Sequence, residues 1–224
     1  HNPTDELNYV WIKKMRESIL QTLNSRSDGP KFKNNAIKDF IFICYLLGND
    51  FLPHLPSLDI SNNGLDYLID TYIENFNDNK YKYIITGKKN INQKIFNSLI
   101  EKLALNEEEI LKNKYAKGTR KRRSNSSDPY EIEKYKIDNL MFKIDDPIKM
   151  GSDDSKKYKY RYYNHYYGTT KKDQEAFVEN MVKHYLLGLK WVTEYYFDKC
   201  PSWGWYYPYD HPPFLEDVNN YIKE

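Results

Sequence analysis

One carboxylate, Asp50, follows a strongly apolar stretch and precedes a turn that two prolines stiffen. The stretch covers residues 39–47 and holds no acid after Asp39. Pro53 and Pro56 restrict the backbone just beyond the carboxylate. Acidic side chains are rarely buried unless they are paired or bind a metal. Such a carboxylate is costly to place, so either a cation lies at Asp50 or the residue caps local backbone amides.

A second group of residues interleaves cations with aromatic rings. Residues 156–163 combine lysine and arginine with tyrosine, and they include Lys159 and Arg161. This pattern suits phosphate binding and base stacking, but the sequence alone favours a solvated, partly buried helix or a strand edge. A further basic run covers residues 117–123. It is typical of a surface loop, although its Arg120 to Arg123 portion also resembles a nuclear signal.

The composition limits the kind of protein. The chain has 224 residues, of which 40% are hydrophobic and 16% aromatic, enough for a sizeable core in one large domain or two small ones. The 34 basic and 32 acidic residues leave a net charge of +2, so composition alone gives no argument for nucleic-acid binding. No stretch of about 18 apolar residues occurs, so we expect neither a membrane span nor a membrane partner.

The chain ends and the cysteines bear on localisation. The chain starts at His1 without a signal-like apolar segment, so we expect a piece of a longer polypeptide. The lack of a targeting signal in this piece therefore says little about localisation. Cys44 and Cys200 lie far apart without metal-type spacing. Two free thiols in a reducing compartment are the expected state. We therefore expect an intracellular protein, in either the cytoplasm or the nucleus.

The spacing of apolar residues predicts a mainly helical chain. The expected helices cover residues 5–24, 36–47, 65–76, 91–105, 107–114 and 174–197, with a short strand or loop at 81–86. Residues 1–115 form a helical region that carries the motif around Asp50. Residues 116–157 form a flexible basic and polar insertion. Residues 158–224 form a second helical region that ends in a loop rich in Trp and Tyr, and both helical regions belong to one structural domain.

Two segments resemble conserved blocks of the XRN family of eukaryotic and viral 5′→3′ exoribonucleases. The first covers residues 39–60, with the Gly-Asn-Asp motif that ends at Asp50, and the second covers residues 185–209. Residues 159–163 are similar to the family's aromatic, basic segment, and Arg16 lies where the family often has Leu-Arg-Glu. Order and spacing agree over nearly the whole chain apart from the basic insertion. After Tyr209 the chain departs from the family pattern, which leaves the contacts of that loop open.

The resemblance implies an irregular, mainly α-helical domain with long loops, packed on an N-terminal α/β nuclease domain. It implies processive hydrolysis of RNA from a 5′-monophosphate end to mononucleotides, with Mg²⁺ or Mn²⁺ as cofactor. Asp50 corresponds to one of the family's catalytic, metal-binding acids. The other ligands and the 5′-phosphate pocket lie in an N-terminal region of the same polypeptide that this chain lacks. That region and 5′-monophosphorylated RNA are the implied partners, and the chain alone is expected to be inactive.

The resemblance also suggests roles for other side chains. The family stacks the 5′-terminal base on a Trp of its C-terminal part, which makes Trp205, followed by Trp203, the candidate, although packing in the core is about equally compatible with either residue. Lys159 and Arg161 are candidates for phosphate contacts. Three residues are expected to be structural, as anchors of turns or neighbouring segments: His54, Asp59 and Arg16.

Two other functions stay open at this point. A catalytically dead relative that keeps the fold would act as an RNA-binding or scaffold protein, and the acids upstream of this chain would distinguish it from an enzyme. A flap-endonuclease-like enzyme shares the metal chemistry but lacks the Trp-rich block.

Overall fold

The protein is built almost entirely from α-helices. The computed structural model describes residues 9–60, 63–119, 125–138, 146–150 and 157–223, and these contain nine α-helices, one 3₁₀-helix and two short strands. In chain order the elements are α1 (Ile12–Ser25), α2 (Ala36–Cys44), the 3₁₀-helix η1 (Tyr45–Leu47), α3 (Gly64–Asp78), β1 (Ile85–Thr86), β2 (Asn90–Ile91), α4 (Gln93–Leu105), α5 (Glu107–Thr119), α6 (Pro129–Asp138), α7 (Tyr158–Tyr167), α8 (Gln174–Phe197) and α9 (Leu215–Lys223). The predicted mainly helical fold is confirmed. Among the described helices, none is long and apolar enough to cross a membrane.

Most predicted helices are confirmed, and α8 agrees at both ends with the predicted range 174–197. The helix expected from residue 5 begins only at Ile12, because the described residues 9–11 are not helical and Trp11 is extended; residues 1–8 lie outside the described part of the chain. Helices α7 and α9 lie in the predicted helical region 158–224, but no bounds were predicted for them. Helix α7 alternates cations with tyrosines instead of showing a helical apolar repeat, and α9 is only 9 residues long. The packing of this fold on an N-terminal nuclease domain stays a prediction.

Helix α2 is buried because its residues are apolar on nearly every side. Ala36, Phe42 and Ile43 are among its buried residues. The backbone tightens into η1 and then stops at Gly48, which has φ 94° and ψ 151°. Residues other than glycine rarely adopt this conformation, and a Cβ at this position would lie 3.1 Å from the backbone nitrogen of His54. The sequence prediction that Gly48 ends the buried helix is confirmed.

The start of α2 is fixed by a fully buried carboxylate. Asp39 accepts hydrogen bonds from the hydroxyl group of Tyr72 at 2.9 Å and from the backbone N–H groups of Ile84 and Ile85 at 2.8 and 2.7 Å. Burial raises the pKa of Asp39 to about 6, although the three donors oppose this shift. One side chain thus connects α2 to α3 and to the hairpin in which Ile85 of β1 pairs with Ile91 of β2.

A second buried carboxylate determines where α9 begins. Glu107, the first residue of α5, accepts hydrogen bonds from the backbone N–H groups of Leu215 and Glu216 at 2.9 and 2.8 Å and from the Ser57 hydroxyl group at 3.2 Å. It therefore caps the free amides at the start of α9 from another part of the chain. Burial raises the pKa of Glu107 to about 7.

The predicted insertion at 116–157 contains ordered, packed parts. Helix α6 lies within it, and Ile148 and Met150 are buried. They belong to the smaller of two hydrophobic clusters among the described residues, which we call the second hydrophobic cluster. Its other buried members are Leu111, Tyr158, Tyr162, Tyr163, Met181 and Phe214. The prediction of a flexible insertion relied on the average composition of the segment, which two apolar residues hardly change. Residues 120–124, 139–145 and 151–156, including the basic run at Arg120 to Arg123, lie outside the described residues; the insertion as a unit stays a prediction.

The raised pKa of Glu107 predicts a pH-dependent stability. Because the folded chain retains a proton on this group that the unfolded chain releases, the free energy of unfolding should fall as pH rises from about 4.5 to about 7. In Glu107→Gln this contribution is absent, so the two stability curves should diverge by up to about 3 kcal/mol over that window. Urea denaturation at a series of pH values measures the difference.

The matched control is Glu108→Gln, which removes the exposed neighbouring carboxylate that pairs with Lys112 in the same helix. Its stability curve should stay parallel to that of the wild type between pH 4.5 and 7. A Glu107→Gln curve that is also parallel to the wild type would contradict the proposed protonation of the buried acid.

Candidate functional site

Asp50 lies in an exposed turn directly after η1. Asn49, not Asp50, closes this turn, since its Oδ1 accepts hydrogen bonds from the N–H groups of Phe51 and Leu52 at 2.9 and 3.1 Å. The Asn49 N–H in turn donates to the carbonyl oxygen of Leu52 at 3.0 Å. The sequence-based expectation that the Asp50 carboxylate is buried and costly to place is wrong, because the turn directs it outward. The capping of local amides is performed by its neighbour.

The Asp50 carboxylate is left available for a ligand. It forms no hydrogen bond or ion pair with any residue that the structure describes. It lies close to Tyr196 of α8, where burial and then the negative charge of Asp50 raise the pKa of the phenol. An exposed carboxylate oxygen is the type of ligand that Mg²⁺ prefers, so Asp50 fits a divalent ion as a single donor. Within the described ranges, no group of three or more His, Cys, Asp or Glu residues is placed to hold a metal ion.

The segment after Asp50 is anchored on helix α8. The Phe51 ring packs edge-on against Trp191 and Tyr195, with ring centroids 4.8 and 5.0 Å apart. Tyr185, which is buried on the same helix, donates a hydrogen bond from its hydroxyl group to the carbonyl oxygen of Pro53 at 3.3 Å. The position of the Asp50 turn therefore depends on α8, which lies more than 130 residues further along the chain.

The same helix positions the Trp-rich loop. Trp205 is half-buried and stacks on Trp191 at 5.1 Å with an angle of 23° between the rings. Gly188 makes room for it, because a Cβ at that position would lie 2.9 Å from the Trp205 ring. The indole N–H of Trp191 donates to the carbonyl oxygen of Ser202 at 3.1 Å. Trp203, in contrast, is 88% exposed, so it presents the more accessible ring of the two tryptophans, the reverse of the order that the sequence favoured.

Lys159 and Arg161 are used within the fold. Lys159 forms ion pairs with Asp217 and Glu216 of α9 at 2.8 and 3.1 Å. Arg161 donates from Nε to the carbonyl oxygen of Ile148 at 2.8 Å. These contacts occupy the groups that a phosphate would need, so the geometry gives no support to the phosphate role, which stays a prediction.

The tyrosines on either side of these two cations are packing residues. Tyr158, Tyr162 and Tyr163 are buried in the second hydrophobic cluster. The hydroxyl group of Tyr163 donates to Asp217 at 2.6 Å and accepts from the N–H of Phe214 at 3.2 Å. The mixture of rings and cations in α7 therefore belongs to a partly buried helix, the second of the two interpretations that the sequence left open.

The three residues expected to be structural lie in different surroundings. His54 places Nδ1 3.0 Å from the carbonyl oxygen of Leu55. Asp59 forms an ion pair with Lys114 of α5 at 3.0 Å, a contact that joins neighbouring segments. Arg16 lies on the exposed part of α1. None of the three contacts Asp50 through a hydrogen bond or ion pair that the described residues form.

Sequence reasoning missed Asn49 and Trp191, the residues that position the site. A signal for Asn49 was present, because an Asn side chain often accepts hydrogen bonds from the amides two and three residues onward. No comparable signal identifies Trp191. Its partners Phe51 and Trp205 lie on separate loops, and the sequence offers no way to pair them.

Tryptophans 191 and 203 provide a matched test of this arrangement. Trp191 is 9% exposed and contacts both loops, so Trp191→Ala should lower the free energy of unfolding by about 3–5 kcal/mol. Trp203→Ala should change it by no more than about 0.5 kcal/mol, because this ring lies on the surface. Urea denaturation of both variants checks the difference, and equal losses would contradict the central role of Trp191.

Known proteins resemble the chain over most of its length. Residues 31–143 and 132–223 match the family model described as the Xrn1 helical domain. The 5'-3' exoribonuclease 2 homolog of Drosophila melanogaster is 27% identical over 253 residues, which is 95% of this chain and 28% of that protein. The 5'-3' exoribonuclease 2 of Debaryomyces hansenii is 26% identical, with 96% of this chain and 33% of that protein covered.

A third relative is the 5'-3' exoribonuclease 1 of Homo sapiens, which is 26% identical over 244 residues, or 93% of this chain and 14% of that protein. The chain thus spans about a third or less of the length of these relatives.

Proposed function

The chain belongs to the Xrn1 helical-domain family, and from this membership we propose that it is part of a processive 5′→3′ exoribonuclease that converts 5′-monophosphorylated RNA to mononucleotides. The observation that carries the proposal is the exposed Asp50 carboxylate, which no described residue neutralises and which a turn fixed on α8 presents outward. A side chain in this state suits an ionic ligand. The names of the three relatives support the reaction class.

In this proposal Asp50 is a ligand of a catalytic Mg²⁺ or Mn²⁺ ion, and acids from an N-terminal nuclease region of the same polypeptide supply the remaining ligands. Bound ions of this kind lower the pKa of the attacking water and stabilise the charge that develops on the phosphate and the leaving oxygen. The contribution of this chain is positional. Asn49 closes the turn and Phe51 attaches it to α8, so the carboxylate keeps one orientation when the ion and RNA bind.

The Trp-rich loop is the second part of the proposal. A base that stacks on an indole gains about 1–3 kcal/mol regardless of its identity, which suits an enzyme that must accept every nucleotide. Trp203 has the exposed ring for this contact, whereas Trp205 holds the loop on Trp191 and contributes its remaining free surface. Both residues thus serve base stacking in the proposal, Trp203 directly and Trp205 mainly through the position of the loop.

Asp50→Ala in the full-length protein tests the metal-ligand role. We expect the rate of Mg²⁺-dependent digestion of 5′-monophosphorylated RNA to fall by more than about a hundredfold, because the Ala side chain has no oxygen to bind the metal ion. RNA affinity and the free energy of unfolding should change little, since Asp50 bonds to no described residue. The matched control is Asp28→Asn, another exposed acid, which should retain wild-type rates.

Three outcomes would oppose the proposal. Wild-type turnover by Asp50→Ala would remove Asp50 from the metal site. A full-length wild-type protein that binds RNA without degrading it would indicate the RNA-binding or scaffold relative instead. Digestion by the isolated 224-residue chain would contradict the proposal that other acids complete the site.

Trp203→Ala tests the stacking role separately. In the full-length protein this variant should bind single-stranded RNA roughly 5- to 100-fold more weakly, with the same loss for all base sequences, because a stacking ring makes no base-specific contact. Trp205→Ala should lose stability as well as affinity, because the ring is half-buried against Trp191. Fluorescence titration with labelled RNA, beside urea denaturation, separates the two effects. Unchanged affinity in Trp203→Ala would exclude this ring from stacking.

A further inference from the structure

A polar groove lies at the N-terminal end of α2, at the opposite end of that helix from the Asp50 turn. Its volume is about 660 Å³, and residues from the start of α2, from the segment before β1 and from the start of α4 line it. Lys38 and Lys82 contribute cations to the lining, and Tyr81 and Tyr83 contribute rings. None of the described residues that line it is acidic. We call this cavity the Lys82 groove.

The positive charge of the Lys82 groove is not neutralised by its surroundings. Lys82 forms no ion pair or hydrogen bond through its side chain with any described residue, and the same holds for Lys33 at the edge of the groove and for Lys80, which directly precedes the lining residue Tyr81. Lys33 belongs to the edge because its backbone N–H donates to the Tyr83 hydroxyl group at 3.3 Å. Lys38 donates to the backbone carbonyl oxygen of Gly87 at 2.6 Å, a contact that fixes the ammonium group and leaves its charge in place.

One carboxylate lies beneath the floor of the groove and does not cancel this charge. The two oxygens of Asp39 are directed to the backbone N–H groups of Ile84 and Ile85 and to the Tyr72 hydroxyl group. The side chain is fully buried. An anion in the groove therefore meets lysine side chains, not this acid.

Tyr81 is held at the edge of the groove with its ring half exposed. Its exposure is 48%, and its ring centroid lies 5.7 Å from that of Phe76. Lys80 and Tyr81 have φ angles of 56° and 62°, and the Tyr81 N–H donates to the carbonyl oxygen of Phe76 at 2.8 Å. This left-handed pair ends α3 and fixes the direction of the following side chains. The ring is thus positioned before any ligand arrives, which reduces the entropy lost on binding.

We infer that the Lys82 groove binds the backbone of single-stranded RNA, with its lysines on the phosphates and Tyr81 against a base. The inference rests on the proposed function, because that function supplies the ligand. Lysines interleaved with exposed rings suit a strand that carries both phosphates and bases, whereas an acidic peptide would use the lysines alone. The groove is a separate contact, since residues 39–47 of α2 and η1, which rise by about 15 Å, lie between Lys38 and the Asp50 turn.

The test measures RNA affinity against salt concentration in the full-length protein. All variants carry Asp50→Ala, so that the RNA stays intact. Lys80→Gln with Lys82→Gln should bind a 5′-monophosphorylated oligouridylate roughly five- to twentyfold more weakly at 0.1 M salt, and the slope of log affinity against log salt should become shallower by about 1.4, since each phosphate contact on a single strand contributes about 0.7. The arginine pair at the same positions, K80R with K82R, should restore the slope.

The control pair is Lys171→Gln with Lys172→Gln, which removes two exposed cations from the turn before α8 and should leave the slope unchanged. Tyr81→Leu adds an independent readout. It should weaken binding without changing the salt slope, because the ring carries no charge. Circular dichroism confirms that each variant is folded.

The outcomes separate this inference from the proposed function. A wild-type salt slope in the Lys80 and Lys82 double variant overturns the groove, even if the wild-type enzyme digests RNA. A shallower slope supports the groove, even if the wild-type protein proves catalytically dead. Poly-glutamate serves as a model for an acidic protein partner. If the Lys80 and Lys82 double variant lost binding to poly-glutamate but kept its RNA affinity, the inference would be overturned in favour of such a partner.

Discussion

The aromatic contacts of Trp191 connect the two loops on which the proposed chemistry depends. The indole stacks on Tyr195 within α8 and on Trp205 from the Trp-rich loop, and Phe51 packs against it edge-on. Its N–H reaches the backbone of Ser202. Rings in such arrangements contribute about 0.5–1.5 kcal/mol per pair beyond the area that they bury. A displaced Trp191 would therefore release the Asp50 turn and the tryptophan loop together, which makes α8 the common support of both.

The two buried acids of this fold differ from Asp50 in the donors around them. Asp39 and Glu107 are buried, and each accepts three hydrogen bonds, including two from backbone amides. Their oxygens are used within the fold, since they accept hydrogen bonds that connect elements far apart in sequence. Asp50 accepts none from the described residues. The buried acids Asp39 and Glu107 thus have hydrogen-bond donors. The exposed Asp50, which follows the most apolar of the described helices, has none among the described residues.

The sequence was sufficient where a local pattern determines the structure. The apolar run of α2, the stop at Gly48 and the long α8 follow from periodicity and glycine conformation, and they were predicted. The exposure of Asp50 was not, because the apolar run before it suggested burial and the role of Asn49 depends on a side-chain rotation. The tyrosines of α7 show the same limit. The hydroxyl group of a buried ring such as Tyr163 usually finds a partner, and here that partner, Asp217, is 54 residues away.

Helix α2 and η1 connect the two proposed RNA contacts as a stiff spacer. One end is fixed by Asp39, which joins it to the hairpin below the Lys82 groove, and the other by Gly48 and the Asn49 turn. Most residues of the spacer are buried or partly buried, and close-packed interiors resist small displacements. A strand held in the groove would therefore keep a constant distance from the metal site that we propose at Asp50. An enzyme that removes one nucleotide at a time needs such a distance to be the same in every cycle, because the next phosphate must arrive at the same position as the last.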